Sequence, residues 1–294
     1  MTGAPIRPRR SLLYIPGSNT RALEKARTLG ADAVILDLED GVAPDAKERA
    51  RAEICEAVRT KAFGKREVIV RINALPSPWG HHDLLAAAAA EPDAILVPKV
   101  STPHDLHAVE DALADAPEAD LSLALWAMME TPLAILNAAA IASAGGRLVA
   151  LVMGTNDLIK EIGGVHTADR LNLAGALGHC VLAARAHGLA IIDGVHNDIQ
   201  DAQGFALSCL QGRGFGFDGK TLIHPSQIAP CNDAFGPSQD EVAAARRIIA
   251  AFDAPENQGK GALMLDGRMI ERLHAESARR VLALAEAIAA LAIS

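Results

Sequence analysis

Apolar residues in this chain come in short runs, and most runs are followed by an amphipathic stretch. Residues 11–15, 33–38, 68–72 and 94–97 are such runs in the first hundred positions. Two more end the stretches 121–132 (LSLALWAMMETP) and 147–158 (RLVALVMGTNDL). A seventh covers 189–192, and an eighth lies near 215–220. A continuous apolar run bounded by turn residues is the pattern of a strand buried on both faces of a parallel sheet. The intervening periodicity predicts helices over 20–29, 44–59, 79–90, 103–114, 133–143, 171–187, 199–211 and 238–252. Eight strands alternating with eight helices predict an α/β fold of the (β/α)8 TIM-barrel type. A doubly wound open sheet is the alternative, but its Gly-x-Gly-x-x-Gly first turn is absent. The barrel is assigned to residues 1–254. A polar, Gly-containing linker follows over 255–261, then a long helix over 268–293 with Leu273, Val281, Leu284, Ile288 and Leu291 along one side. Residues 255–294 therefore read as a linker and a C-terminal helical lid or oligomer arm.

The fifth and sixth runs each end in one carboxylate, Glu130 and Asp157, 27 positions apart (157 − 130). That is about one strand-plus-helix unit, so both acids belong at the same mouth of the barrel, where ligands bind. Two oxygen ligands at one opening suit Mg²⁺, which keeps waters and substrate oxygens in its shell. Both acids also stand next to helix starts, where carboxylates are favoured as caps, and spacing alone does not separate the two readings. Arg71, at the end of the third run, has the fork to grip a substrate carboxylate, or to pair with Asp37, Glu39 and Asp40. Those three acids are expected to orient Arg71, a metal-bound water or Lys99 from behind.

Composition narrows the picture modestly. Aromatic residues make up only 3% of the chain, so the core must be aliphatic. A formal charge of −8 argues against a nucleic-acid surface. The cysteines, Cys55, Cys180, Cys209 and Cys231, have neither CxxC nor zinc spacing, which points to a reducing cytoplasm. No apolar run is long enough to cross a bilayer, and the first one stops at Pro16-Gly17, too short for a signal-peptide core.

Eight motifs then occur in a recognisable order: SLLYIPGSN, VILDLEDGVAP, VRIN, LVPKV, METP, MGTNDL, IIDGV and GFDGKTLIHPSQI. Together they resemble the citrate lyase β-subunit-like enzymes of the HpcH/HpaI aldolase superfamily, which includes malyl-CoA and citramalyl-CoA lyases. The resemblance runs from Ser11 to about Arg280. It implies a Mg²⁺-dependent carbon–carbon lyase, with Mn²⁺ as an alternative metal. The substrate would be a 3-hydroxyacyl-CoA, giving a short acyl-CoA and a 2-keto acid such as glyoxylate or pyruvate. It also implies a homo-oligomer, a trimer or dimer of trimers. Rival readings are a metal-dependent pyruvate aldolase without CoA, a citrate lyase β subunit working on an acyl-carrier protein, and a non-catalytic acyl-CoA-binding protein.

The resemblance also assigns residues. It makes Glu130 and Asp157 the metal ligands and Arg71 the catalytic contact to the substrate acid. Arg21 and Lys25, which by spacing alone read as a solvated helix face, match positions that meet the phosphates of coenzyme A. Tyr14, Ile192 and Asp193 match substrate-contacting positions. Many similar lyases carry Met-Ile-Asp-x-Pro in the tail, with a catalytic aspartate that reaches a neighbouring subunit. Here the run is Met269-Ile270-Glu271-Arg272-Leu273, which leaves Glu271 as the candidate acid. The alternative is an exposed residue at the start of the arm helix.

Residues 214–221 (GFGFDGKT) fit the P-loop pattern but lack the helix that must follow, since Pro225 stands where its first turns would be. They read instead as a tightly packed barrel strand, with Lys220 structural. The histidines show no zinc spacing. Lys99 is the one lysine placed for Schiff-base chemistry, against which its acidic neighbours argue.

Overall fold

The computed structural model describes residues 6–114 and 123–292. Eight parallel strands form its centre: β1 (Ser11–Pro16), β2 (Ala33–Asp37), β3 (Glu67–Arg71), β4 (Ala94–Val97), β5 (Ala124–Met129), β6 (Leu148–Met153), β7 (Ala190–Asp193) and β8 (Gly219–Leu222). They pair in sequence order, and β8 returns to β1 to close the barrel. The TIM barrel predicted from the apolar runs is the fold. Leu121 and Ser122, at the start of the fifth run, lie outside the described residues.

Closure depends on Gly219, because a Cβ there would lie 1.8 Å from the Arg9 carbonyl oxygen. Side chains from seven successive strands fill the interior, among them Leu12, Ile35, Ile69, Leu96, Trp126, Val152 and Ile192. Arg9 stacks on the buried Trp126 ring, its guanidinium carbon 4.9 Å from the centroid, and pairs with Glu67 at 2.7 Å. That closes the end of the barrel away from the strand C-termini.

Helices follow the strands: α1 (Thr20–Ala26), α2 (Lys47–Arg59), α3 (Gly80–Ala88), α4 (Pro103–Ala114), α5 (Pro132–Leu136), α6 (Ala138–Ala142), α7 (Thr155–Glu161), α8 (Ala174–Ala186) and α9 (Ala202–Phe215). Their starts are chemically marked. Asn19 caps α1 through the Ala22 N–H at 3.0 Å, and Thr131 caps α5 through the Ala134 N–H at 3.0 Å with Pro132 next in line. Asp201 caps α9 through Gly204 at 2.8 Å.

Two expectations are corrected here. Phe215 and Gly216 are not in the eighth strand: Phe215 ends α9, and Gly216 at φ +100° caps it in the left-handed region. The strand begins only at Gly219. The helix expected over 133–143 is two, α5 and α6, broken at Asn137.

The chain divides into two compact units, Arg9–Ala234 and a second built from Phe235 on together with residues 6–8. Between them in sequence runs α10 (Ile228–Phe235). The second unit is headed by α11 (Gln239–Asp253), opened by a reciprocal Ser238–Glu241 capping box. It packs on α12 (Arg272–Ala292). Residues 268–271, expected to open the arm helix, instead form a strand, β10 (Arg268–Glu271), paired antiparallel with β9 (Ala262–Leu265). Asp266 and Gly267 between them both have positive φ, +51° and +75°, as a two-residue type I′ hairpin requires. Ile293, the last residue of the expected helix, lies outside the described residues. Among those described, no helix is long and apolar enough to cross a membrane.

Candidate active site

The carboxyl ends of the strands surround a cavity of about 340 Å³. Tyr14, Asp37, Asp40, Arg71, Glu130 and Asp157 all line it, so the first unit brings six of the expected site residues to one opening. The lining also takes in Met128, Met153, Val195 and Ile223, and it is more apolar than polar.

Arg71 is the best-held group. Its Nε and Nη2 donate to the two Asp37 carboxylate oxygens at 2.7 Å each, a bidentate pair with both side chains buried. Asp37 is itself fixed by the backbone N–H groups of Glu39 and Gly41, at 2.8 and 2.9 Å. Nη1 of Arg71 lies 2.7 Å from Glu39 Oε2 and 3.3 Å from Asp40 Oδ2. The guanidinium stands over the Tyr14 ring, 4.9 Å from its centroid. Asp37, Glu39 and Asp40 thus meet Arg71, as expected of orienting groups. Asp40, 65% exposed, is its loosest partner.

Burial dominates the titration here. It lifts the Tyr14 hydroxyl well above its usual range, although Arg71 pulls the other way. It raises Glu39 to about 8 against the opposing pull of Arg71, with Glu130, Asp40 and Asp37 adding to the rise. A 2.7 Å contact to Arg71 and a raised carboxyl look contradictory. The short contact does not give Glu39 Oε2 a well-aligned hydrogen bond, and it is Asp37 that holds the fork of the guanidinium. Burial therefore outweighs Arg71 at the Glu39 carboxyl.

Glu130 directly follows β5 and precedes the cap Thr131, so it is not itself the helix cap. Its Oε1 accepts the Lys99 backbone N–H at 2.8 Å, and its Oε2 is buried without a hydrogen-bond partner. Room for it exists because residue 154 is glycine: a Cβ there would lie 2.4 Å from Glu130 Cβ and 2.5 Å from Oε2. Burial raises the Glu130 carboxyl, while Lys99 and Arg71 oppose the rise. Asp157 lies in the first turn of α7, a position that a carboxylate favours in its own right. Lys99 Nζ reaches both acids, 2.8 Å from Asp157 Oδ1 and 3.6 Å from Glu130 Oε1. The two carboxylates therefore converge on one cation, which fits a hard divalent ion of the Mg²⁺ kind. Among the described residues, no three His, Cys, Asp or Glu side chains gather as a metal cluster. The pair would hold such an ion only with water or substrate oxygens completing its shell.

The remaining expected residues lie elsewhere. Ile192 is buried in the barrel interior, and Asp193 is wholly buried. The Asp193 carboxylate takes Arg170 Nη1 at 2.8 Å on both oxygens and Lys220 Nζ at 2.9 Å on one. Burial alone would raise it, but Lys220 and Arg170 outweigh that and hold it below the ordinary carboxylate value. Arg170 is a residue that sequence reasoning missed. It meets Asp193 only through the fold, and nothing local marks it. Arg21 and Lys25 are exposed on α1, outside the cavity lining. Glu271 ends β10 in the second unit, where its N–H donates to His274 Nδ1 at 2.9 Å.

Comparison with known proteins places this site in a lineage. The family model for HpcH/HpaI aldolase/citrate lyase matches residues 10–225. A (3S)-malyl-CoA thioesterase of Cereibacter sphaeroides (strain ATCC 17029) is 53% identical over 98% of each chain. The L-malyl-CoA/β-methylmalyl-CoA lyase of C. sphaeroides (strain ATCC 17025) is 36% identical over 97% of each. The crystal structure of CitE from Mycobacterium tuberculosis in complex with magnesium, acetoacetate and coenzyme A aligns with a TM-score of 0.73 at 31% identity. It covers 96% of this chain and 97% of that one. With most of the barrel inside the family model and full-length relatives well above 30% identity, the chain is an enzyme of the HpcH/HpaI aldolase/citrate lyase family.

Proposed function

We propose that the chain acts on a malyl-CoA-type thioester at the barrel mouth and hydrolyses it, releasing the 2-hydroxy dicarboxylic acid and free coenzyme A. The observation that carries this reading is the 53% identity, over 98% of both chains, to the (3S)-malyl-CoA thioesterase. The geometry supports the substrate class. Arg71 is held rigidly by Asp37 and stacked on Tyr14, so its remaining N–H capacity faces the cavity beside Asp40. A substrate carboxylate entering there would take the place of the exposed Asp40. Glu130 and Asp157 would hold Mg²⁺, or Mn²⁺ in its stead, which supplies Lewis-acid polarisation of substrate oxygens when bound. Met128, Met153, Val195 and Ile223 supply an apolar part of the lining, which would strengthen each of these contacts by lowering the local dielectric. Water then adds to the thioester carbon, the C–S bond breaks, and the sulfur leaves as the thiol of coenzyme A. Arg21 and Lys25 on α1 are assigned to the coenzyme A phosphates.

A second reading is the carbon–carbon cleavage expected from the sequence motifs, favoured by the family match and the malyl-CoA lyase relative. In it the 3-hydroxyl proton is lost and the C2–C3 bond breaks, giving glyoxylate. The carbanion left on acetyl-CoA takes a proton, for which Glu271 from a neighbouring copy is the candidate acid. That role requires a homo-oligomer, trimer or dimer of trimers, with 255–294 as its arm. Light scattering tests the mass.

Purified protein with (3S)-malyl-CoA and Mg²⁺ tests both readings. Free thiol with an equal yield of malate supports hydrolysis. Acetyl-CoA with trapped glyoxylate, and no thiol, supports cleavage. Neither product pair would sink the malyl-CoA assignment.

A further inference from the structure

Lys99 has an unusual posture. Its φ of +56° puts a side-chain-bearing residue in the left-handed region, where glycine or asparagine is the usual occupant. That backbone directs two groups at the acid pair. The N–H donates to Glu130 Oε1 at 2.8 Å, and the ammonium lies 2.8 Å from Asp157 Oδ1 and 3.6 Å from Glu130 Oε1. The first contact is fixed by the chain. The second sits on a flexible four-carbon stem, 34% exposed, and is free to leave. A strained residue kept beside two carboxylates calls for a reason in the site rather than in the fold.

We propose that Lys99 is a tethered counter-cation for Glu130 and Asp157, which a divalent ion must displace in order to bind and which sets how tightly the site holds that ion. The inference rests on the reading of this pair as the metal-holding acids. An ammonium and a divalent cation compete for these carboxylates. A Mg²⁺ ion needs them at about 2.0–2.1 Å, and two cations at such range repel steeply. With Lys99 in place, one of the two negative charges of the acid pair is offset without metal. Each ion that enters must first release the lysine, so bare metal binds more weakly than two carboxylates would otherwise hold it. A substrate that brings its own oxygens completes the coordination shell and offsets that competition, so metal and acid substrate should bind synergistically.

The test is calorimetric titration of Mn²⁺ into the wild type and Lys99→Met, each with and without oxalate as a non-reacting oxyacid. Lys99→Met should bind Mn²⁺ at least tenfold more tightly. Oxalate should tighten Mn²⁺ binding more in the wild type than in the variant. In EDTA the variant should melt lower than the wild type and gain more on adding Mn²⁺. A folded variant with unchanged or weaker Mn²⁺ affinity would overturn the proposal. If neither protein binds Mn²⁺ with or without oxalate while both keep the wild-type circular dichroism, the metal reading of the acid pair itself fails, and this inference with it. A readout on the wild type alone guards against misfolding of the variant. Acylation of Lys99 by an amine-reactive reagent, followed by peptide mass spectrometry, should speed up several-fold on saturation with Mn²⁺, and an unchanged rate contradicts displacement.

Discussion

Asp193 offers the sharpest test of how the first unit is held together. Its carboxylate is wholly buried and bonded to two cations, Arg170 at 2.8 Å and Lys220 at 2.9 Å. Replacing it with Asn removes the charge but little volume, leaving a fully buried ammonium and a nearly buried guanidinium without their counter-ion. Breaking a buried pair in this way costs about 3–5 kcal/mol. Asn keeps one acceptor oxygen, and Arg170 keeps Gln211 Oε1 at 2.7 Å, so the lower end, about 3 kcal/mol, is expected. For a unit of this size that corresponds to a melting point lowered by roughly 6–12 °C. Circular dichroism during urea and thermal unfolding gives the number. Lys220→Met in the Asp193→Asn background should recover part of the loss, because it removes the orphaned charge. The pH dependence follows from the sign of the shift. The folded Asp193 carboxyl is held below its ordinary value, so its stabilisation is fully present above about pH 3.9 and is lost as pH falls through the depressed folded value. Asp193→Asn should therefore lose that acid limb. A variant that melts within about 1 °C of the wild type would refute the reasoning and reopen direct substrate contact as the role of this aspartate.

Four further outcomes are expected. Glu130→Gln and Asp157→Asn should each cut turnover at least ~10²-fold, with EDTA abolishing wild-type activity and Mg²⁺ or Mn²⁺ restoring it; full activity in EDTA contradicts the metal assignment. Arg21→Ala with Lys25→Ala should raise KM for the CoA ester more than it lowers kcat, since remote phosphate contacts contribute equally to ground and transition states; an unchanged KM returns both to a solvated face. Glu39, raised to about 8, binds a proton on folding between its unfolded value near 4.3 and pH 8, so its contribution to stability falls as pH rises across that window; Glu39→Gln should flatten the slope, measured as urea midpoint against pH. Glu271→Gln should lower kcat for carbon–carbon cleavage without changing CoA affinity or oligomer mass, and a fully active variant moves the proton donor elsewhere.

The barrel was legible because both-face burial leaves continuous apolar runs, and the strand ends were legible because acids and Arg71 interrupt them. Arg71, Glu130 and Asp157, read at those ends, all line the cavity. The misses have physical causes. The β9–β10 turn did carry its signal, Asp266-Gly267, but the apolar periodicity of α12 runs on into 268–271 and masked it. Phe215-Gly216 looked like a strand because an aromatic beside glycine suits either a tight strand or a helix end. Arg170 was invisible because its partner Asp193 is 23 positions away and meets it only once β7 has formed. The posture of Lys99 was not legible because nothing about a lysine announces a positive φ.

Charge balance at the mouth connects these details. Asp37, Glu39, Asp40, Glu130 and Asp157 face Arg71, Lys99 and Lys47, the last bonded to the Leu38 and Glu39 carbonyls at 2.8 and 2.7 Å. Three cations against five acids leave two negative charges in excess (3 − 5 = −2). Asp37, Lys47, Arg71 and Glu130 are buried, and an uncompensated charge is costly there. Such a cluster has two ways to settle. It can take up protons, and Glu39 and Glu130 are the carboxyls that burial lifts. Or it can take up a cation of matching charge, and the unpartnered Glu130 Oε2 is the oxygen with capacity to receive one. A proton satisfies one acid at a time, whereas a divalent ion that displaces the Lys99 ammonium puts two positive charges at the acid pair in place of one. It would do so at Glu130 and Asp157, which line the same cavity as the Asp37-clamped Arg71. The substrate would then meet two positive centres in one cavity, one permanent and one exchangeable. A molecule with a carboxylate for Arg71 and a polarisable oxygen for the other centre matches both, which is the shape of a 3-hydroxy dicarboxylic thioester.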